Sequence, residues 1–247
     1  MMHERLGVII GAHDPYQGAL CEASLRRNGL TVVKFGAGKR WPGNYRDGKT
    51  IPQLECVRSI HQMFSHILFT DSADSMAMCG SDEILSKFGT FPGGIVVSGE
   101  KNCHPDGQLR GLYPGEKGPW SFVNSGGWIG RSSDVLAALE CIASLPWDDD
   151  QRCWTLAYLA YAFPMAVDHQ CRIFQTMRRQ SGEFSNVSGR VYNRATGQFP
   201  SIVHWNGIAH SDVAMSLIRP FNPGLVTQMD IATEARYVDR IPVGAMA

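Results

Sequence analysis

The chain has 247 residues, 44% hydrophobic and 19% charged, the proportions of a globular protein with a core of its own. Lysine plus arginine and aspartate plus glutamate each number 23, so the net charge is +0 and no global field draws the chain to nucleic acid or an anionic membrane. There is no apolar run of about 18 residues to span a membrane, no cleavage signature after "LGVIIGAHD", and the 7 cysteines contain no C-x-x-C pair, which excludes a zinc module or a disulfide framework and points to a reducing cytoplasm.

The first predicted element is a buried strand in the aliphatic run Leu6 to His13. A helix follows in "GALCEASLRRNG", stopped by Gly29. "LTVVKFG" is a second strand, rich in β-branched residues. The segment from Ala37 to Thr50, with Gly43, Gly48 and Pro42, reads as a loop. "IPQLECVRSIHQMF" is a helix and "HILFTD" a third strand. This βαβ rhythm argues for a mainly parallel sheet covered by helices. A helix over "SDEILSKF" and a strand over "GGIVVSGE" come next. "PWSFVNSGGWIGRSSDVLAALECIASL" reads as a strand, a glycine-rich turn and a helix. "DDDQRCWTLAYLAYAF" is a helix with an acidic start, and "VDHQCRIFQ" and "SIVHWNG" are late short strands. The expected organisation is one α/β domain over residues 1–218. Residues 219–247, punctuated by Pro220, Pro223 and Pro242, form an extension that packs on the domain or frays.

Ligands of open α/β sheets bind beyond the carboxyl ends of the strands. Asp71 and Asp74 lie past such an end, as do Glu100, Asn124 to Gly127, and His204 to Gly207. The chain lacks a phosphate loop, a complete dinucleotide fingerprint, H-E-x-x-H and G-x-S-x-G. Two carboxylates after a strand suit Mg²⁺ or Mn²⁺ bridging a diphosphate, or else Asp71 caps the following turn. An imidazole as third ligand, which His204 offers, favours Mn²⁺. Gly126 and Gly127 allow backbone to approach a ligand, or make a plain tight turn. Asp148, Asp149 and Asp150 open a helix, where acids are favoured, though three in a row exceed what capping requires.

Taken in order, "FTDSADSM", "SGEKNCHPDGQLRGLYP", "FVNSGGWIG", "DDDQ", "VDHQCRIFQ" and "HWNG" resemble the glycosyltransferase domain of procollagen lysyl hydroxylases and its relatives, from about Leu6 to about Ser211. The resemblance implies a GT-A fold, a Rossmann-like domain that binds a nucleotide sugar and Mn²⁺. It implies Asp71, Asp74 and His204 as metal ligands. It assigns Asn206 and Gly207 to the donor phosphates, and Trp41, Gly43 and Lys49 to the uridine and diphosphate. Asn124, Ser125, Asp149 and Asp150 would line the sugar and acceptor, with an aspartate orienting or deprotonating the acceptor hydroxyl. Three positions depart from the family pattern. Ala73 stands where an aromatic residue usually faces the base, His104 replaces the tryptophan of Cys-Trp-Pro, and Trp205 replaces the first glycine of His-Gly-Asn-Gly. Trp205 would supply the missing stacking surface or simply pack.

The expected function is metal-dependent transfer of a sugar from a nucleotide-sugar donor, a uridine-diphosphate sugar favoured, to a hydroxyl. Protein hydroxylysine or a small glycan ranks ahead of hydroxymethylated pyrimidine in DNA as acceptor, and a non-catalytic nucleotide-sugar-binding module is the alternative from another class. The DNA reading needs Arg26, Arg27, Arg178, Arg179, Arg190 and Arg194 to converge on one face. With no oxygenase domain or secretion signal in the sequence, a stand-alone bacterial or viral enzyme is expected.

Overall fold

The computed structural model describes residues 5–13, 18–115, 118–177 and 182–206. Its first half runs β1 (Leu6–Gly11), α1 (Ala19–Arg27), β2 (Thr31–Phe35), a π turn (Arg46–Thr50) leading into α2 (Ile51–Ile60), β3 (His66–Thr70), β4 (Ser75–Ala77), α3 (Ser81–Phe88) and β5 (Ile95–Glu100). A 3-10 turn (Gly107–Leu112) then precedes β6 (Phe122–Arg131), α4 (Ser132–Ser144), α5 (Asp150–Leu159), β7 (Met165–Asp168), β8 (Phe174–Thr176), β9 (Phe184–Val187), β10 (Arg190–Asn193) and β11 (Ile202–His204). The expected extension over residues 219–247 and the site residue Gly207 lie outside the described residues. Among the described residues no helix is long and apolar enough to cross a membrane.

The main sheet has six strands in the order β2-β1-β3-β6-β5-β7. β1 pairs in parallel with β2 and β3, and β5 with β7, while β6 runs antiparallel to both β3 and β5. This is the mainly parallel α/β sheet that the spacing of strands and helices predicts. Successive strand residues point to opposite faces, and here they feed two cores. Ile9, Ile67, Phe69, Ile95, Val97 and Trp128 meet α2, α4 and α5 through Val57, Leu139 and Trp154. Their neighbours Val8, Ile10, Leu68, Val96 and Ile129 meet α1 and α3 through Leu25, Ile84 and Phe88. Each such side chain contributes about 1.5–3 kcal/mol by leaving water. The seven cysteines are free thiols.

A second sheet of three strands, β4-β11-β8, packs against the α1–α3 core through Ile173, Phe174 and Ile202. The single strand expected over "VDHQCRIFQ" is two, β7 and β8, joined by a turn. Asp168 builds that turn. Its fully buried carboxylate accepts from the backbone N–H groups of Arg172 (2.9 Å), Ile173 (2.7 Å) and Phe174 (2.9 Å). A β9–β10 hairpin, not anticipated from the sequence, follows.

The glycine-rich turn expected in "NSGGWIG" does not form. β6 runs unbroken through Gly126 and Gly127. What breaks is its register with β5: Val97 pairs with Trp128, yet the next residue, Ser98, pairs with Asn124. Ser125, Gly126 and Gly127 bulge away from β5 and pair instead toward β3, with Thr70 opposite Gly127 and Asp71 N donating to Gly126 O at 2.9 Å. The glycines are there for close approach. A Cβ on Gly127 would stand 2.7 Å from the Phe174 ring, and one on Gly126 2.2 Å from His204 Cε1. The bulge is therefore where the two sheets touch.

Asp168→Ala leaves three buried donors without an acceptor at about 1–3 kcal/mol each. Denaturant unfolding should show a stability loss of about 3 kcal/mol or more. A loss within experimental scatter would show that the turn holds without this carboxylate.

Candidate active site

Asp71 and Asp74 occupy the link between β3 of the large sheet and β4 of the small one. Both ends of the link are pinned: Asp71 N donates to Gly126 O, and Trp205 N donates to the Asp74 carbonyl at 3.0 Å. β11 pairs antiparallel with β4 and sets His204 opposite Ser75, one residue past Asp74. His204 Nε2 consequently lies 3.2 Å from Asp74 Oδ1 and 3.8 Å from Asp71 Oδ2. One ligand atom from each of the three residues falls within 4.8 Å of the others. Two hard carboxylate oxygens and one imidazole form a donor set that fits a divalent ion such as Mn²⁺. The ring's other nitrogen, Nδ1, packs against Gly126 and has no hydrogen-bond partner among the described residues.

The loop after β2 supplies a cation from the other side. Its π turn buries Lys49, only 7% exposed, over the Phe69 ring. The ammonium sits 2.9 Å from Asp71 Oδ1, 2.8 Å from Asp150 Oδ2 and 3.5 Å from Ser125 O. Burial opposes its charge, but Asp150 and Asp71 outweigh that and hold Lys49 protonated. Trp41, on the same loop and 41% exposed, lies across Gly48, where a Cβ would meet its ring at 2.4 Å. His13 Nε2 bonds Gly48 O at 2.6 Å and so ties this loop to the end of β1. Gly43 turns the loop at φ +92°.

A third group gathers around the buried carboxylate of Glu100. It accepts from Asn124 Nδ2 (2.9 Å), Asn206 Nδ2 (3.0 Å) and Gln151 Nε2 (3.3 Å). Asn124 turns its Oδ1 to Gly126 N at 3.0 Å, which links the group to the bulge beside His204. The three consecutive aspartates divide their work. Asp148 is exposed, Asp149 is the N-cap of α5 through a 2.9 Å bond from Arg152 N, and Asp150 turns inward to Lys49.

Asp71, Asp74, His204, Lys49, Ser125 and Asp150 are thus in one cluster, and Asn124 and Asn206 in a second that adjoins it through Gly126. Trp41 stands on the loop that carries Lys49. Trp205 is 3% exposed within an apolar cluster with Met76 and Trp120, so it packs and offers no stacking face. Sequence reasoning placed Glu100 past a strand end in the ligand crevice without giving it a role, and did not single out Gln151, which closes the acidic run, or His13 as site residues.

Protons would compete with a metal held by these residues. Burial lowers the His204 pKa, but Asp74 and Asp71 outweigh it and raise the imidazole above its ordinary value. Burial likewise raises Asp71 against the pull of Lys49 and His204. Because its folded pKa is raised, His204 stabilises the metal-free fold below the ordinary pKa of 6.5, and that contribution is lost as pH rises through the raised value.

A sequence profile described as the PLOD GT domain matches residues 7–217. An uncharacterized protein, R699, of Acanthamoeba polyphaga mimivirus is 26% identical, aligned over 83% of this chain and 46% of its own length. The procollagen-lysine,2-oxoglutarate 5-dioxygenase of Drosophila melanogaster is 30% identical over 89% of this chain and 33% of its own. Rat multifunctional procollagen lysine hydroxylase and glycosyltransferase LH3 is 30% identical over 72% and 26%. The chain therefore spans less than half the length of these relatives. In fold it is similar to a glycosyltransferase involved in glycosylation of the major capsid of PBCV-1, with a TM-score of 0.50 and 10% identity over 92% of this chain and 99% of that one.

Two outcomes are expected. Mn²⁺ affinity should rise with pH above 6.5, with proton release measurable by calorimetry in buffers of different ionisation enthalpy; a flat or falling affinity would contradict the proton competition. Gly126→Ala should displace the His204 ring and weaken Mn²⁺ by about tenfold or more, as loss of ligand support does. Unchanged Mn²⁺ binding in that variant would show that the contact is not needed.

Proposed function

The chain belongs to the PLOD GT domain family of glycosyltransferases, and from that premise we propose that it moves a sugar from a uridine-diphosphate donor to an acceptor hydroxyl with Mn²⁺. The observation that carries this reading is the meeting of Asp71, Asp74 and His204 with the Lys49–Asp150 pair. Asp71, Asp74 and His204 hold the ion. When bound, the ion neutralises the diphosphate as a Lewis acid; Mg²⁺ is the second choice for the same site.

Lys49, kept protonated by its two carboxylates, is a donor aimed beside the metal ligands and suits a diphosphate oxygen. Trp41 offers the exposed ring for the nucleoside. Asn206, just past β11, and Ser125, in the bulge of β6, would contact the donor. Asn124 and Asn206, fixed through Glu100, present the polar wall for the sugar. Asp150 is held in one orientation by Lys49 and serves to orient the acceptor hydroxyl or take its proton, with Asp149 beside it at the helix start.

A hydroxyl on a protein side chain or small glycan is favoured over hydroxymethylated DNA. Of the arginines a DNA face would require, Arg26 pairs with Glu22 at 2.9 Å and Arg190 with Glu83 at 2.6 Å, while Arg178 and Arg179 lie outside the described residues. Arg26 and Arg190 each already face a carboxylate, which lowers the net positive charge that this surface offers to phosphates.

Labelled uridine-diphosphate glucose and galactose, offered with Mn²⁺ to a hydroxylysine peptide, its galactosylated form and hydroxymethylcytosine DNA, test this directly. Asp71→Ala and Asp74→Ala should lower transfer by about a hundredfold or more, the scale of metal charge stabilisation, and His204→Ala by less. Undiminished transfer in EDTA would refute the metal assignment, and label in the DNA alone would reverse the choice of acceptor.

A further inference from the structure

A cavity of about 410 Å³ opens on the segment joining β5 to β6, lined by Lys101, Arg110, Gly118, Pro119, Ser121 and Phe122. It begins one residue beyond Glu100, whose strand partner is Phe122. It therefore adjoins the Glu100–Asn124–Asn206 cluster. In the strand order β2-β1-β3-β6-β5-β7, it lies at the β5–β6 side, whereas the Trp41–Lys49 loop follows β2 at the other end. A donor held by that loop and the metal ligands leaves this cavity to whatever approaches the transferred sugar from the opposite side.

The chemistry of the lining is one-sided. Among the described residues it contains two cations and no carboxylate. The Lys101 ammonium is already engaged, 2.6 Å from both carboxylate oxygens of Glu183 and over the Trp120 ring. Arg110 is different. Its guanidinium carbon lies 4.4 Å from the centre of the Phe122 ring, and the guanidinium pairs with no carboxylate among the described residues. Phe122 is itself buried against Tyr113, so the platform beneath the guanidinium is fixed. The Ser121 hydroxyl is committed to Gly118 O, which leaves the Arg110 guanidinium edge as an uncommitted side-chain donor among the described lining residues. A planar fork held on an aromatic face, with its donors unspent, is suited to bidentate capture of an oxyanion.

We infer that this cavity is an acceptor subsite for an oxyanion, a carboxylate or a phosphate, carried next to the hydroxyl that receives the sugar, with Arg110 as its reader. The inference rests on the glycosyltransferase reading for the word acceptor, but the binding of an anion does not. Lys101, neutralised by Glu183, supports the pocket wall and adds little net charge.

The test uses donor-free and metal-free protein, so its outcome is separate from that of the transfer assays. Amide NMR spectra are recorded while inorganic phosphate, glucuronate or neutral glucose is added, with sodium chloride at matched ionic strength as the blank. Saturable shifts at Gly118 and Ser121 with phosphate, with glucuronate, or with both are expected, and none with glucose. Phosphate alone assigns the group to a phosphate, glucuronate alone to a carboxylate. Arg110→Gln should weaken the effective anion about tenfold, the worth of one charge-assisted hydrogen bond, while Arg110→Lys keeps part of the affinity. Glucose acting as well as glucuronate, no shift with either anion, or equal affinity in a folded Arg110→Gln would overturn the inference. Should Arg110→Gln not fold, the contrast between glucuronate and glucose on the wild-type protein still decides it.

Discussion

The buried ammonium of Lys49 is the interaction on which the arrangement of the site depends. It stands between Asp71, at the end of a central strand, and Asp150, in the first turn of α5. Without it, the Asp71 and Asp150 carboxylates would have no cation between them and would repel each other. Removing one partner from such a buried pair costs about 3–5 kcal/mol, because the other charge stays behind unpaired. Lys49 also joins three separate pieces of chain: the loop after β2, the end of β3 and the start of α5. The cluster still holds three carboxylates against one lysine and one histidine, a negative excess suited to a divalent ion.

The second constraint is steric. The small sheet carries His204, and the large sheet carries Asp71. They come together only because β6 shows no side chain at Gly126 and Gly127, where His204 and Phe174 press against it. The bulge that exposes this bare backbone also frees Gly126 N for Asn124 and Gly126 O for Asp71. One local irregularity thus sets the Asp71–His204 contact, the asparagine beside it and the approach of the two sheets. Asp168 acts further out, by holding the turn that delivers β8 to β11 and so fixes the strand on which His204 rides.

The two halves of the crevice differ in character. The half built from β1, β2 and β3 carries an exposed tryptophan, a buried lysine and the aspartates Asp71 and Asp74, with His204 brought to them by β11. The half built from β5, β6 and α5 carries amides around Glu100 and, one residue further on, the cavity under Arg110. Glu100 lies at the boundary, and its three amide partners come from β6, α5 and the end of β11. Its function is best understood as positional, since it orients groups from both halves at once.

Much of this was legible in the sequence for local reasons. Aliphatic runs at βαβ spacing announced β1, β3 and β5, because these strands are buried on both faces and so are mainly apolar. Asp71, Asp74 and His204 could be picked out as acids and an imidazole at strand ends. Other features were decided by tertiary structure. That Asp150 turns inward while Asp149 caps a helix depends on where Lys49 arrives, from a turn far away in the chain. That the two glycines make a bulge and not a turn depends on Thr70 and Asp71 offering hydrogen bonds that keep β6 extended. That Trp205 packs with Met76 and Trp120 instead of facing the crevice depends on which side of β11 is covered. The Glu100 cluster joins residues separated by 24 and by 106 positions, which no local pattern records. Sequence determines which groups are available at the ends of strands, because periodicity and propensity act within a few residues; only the folded chain decides which of those groups meet, because that is set by long-range hydrogen bonds, buried charge and the space left by a missing side chain.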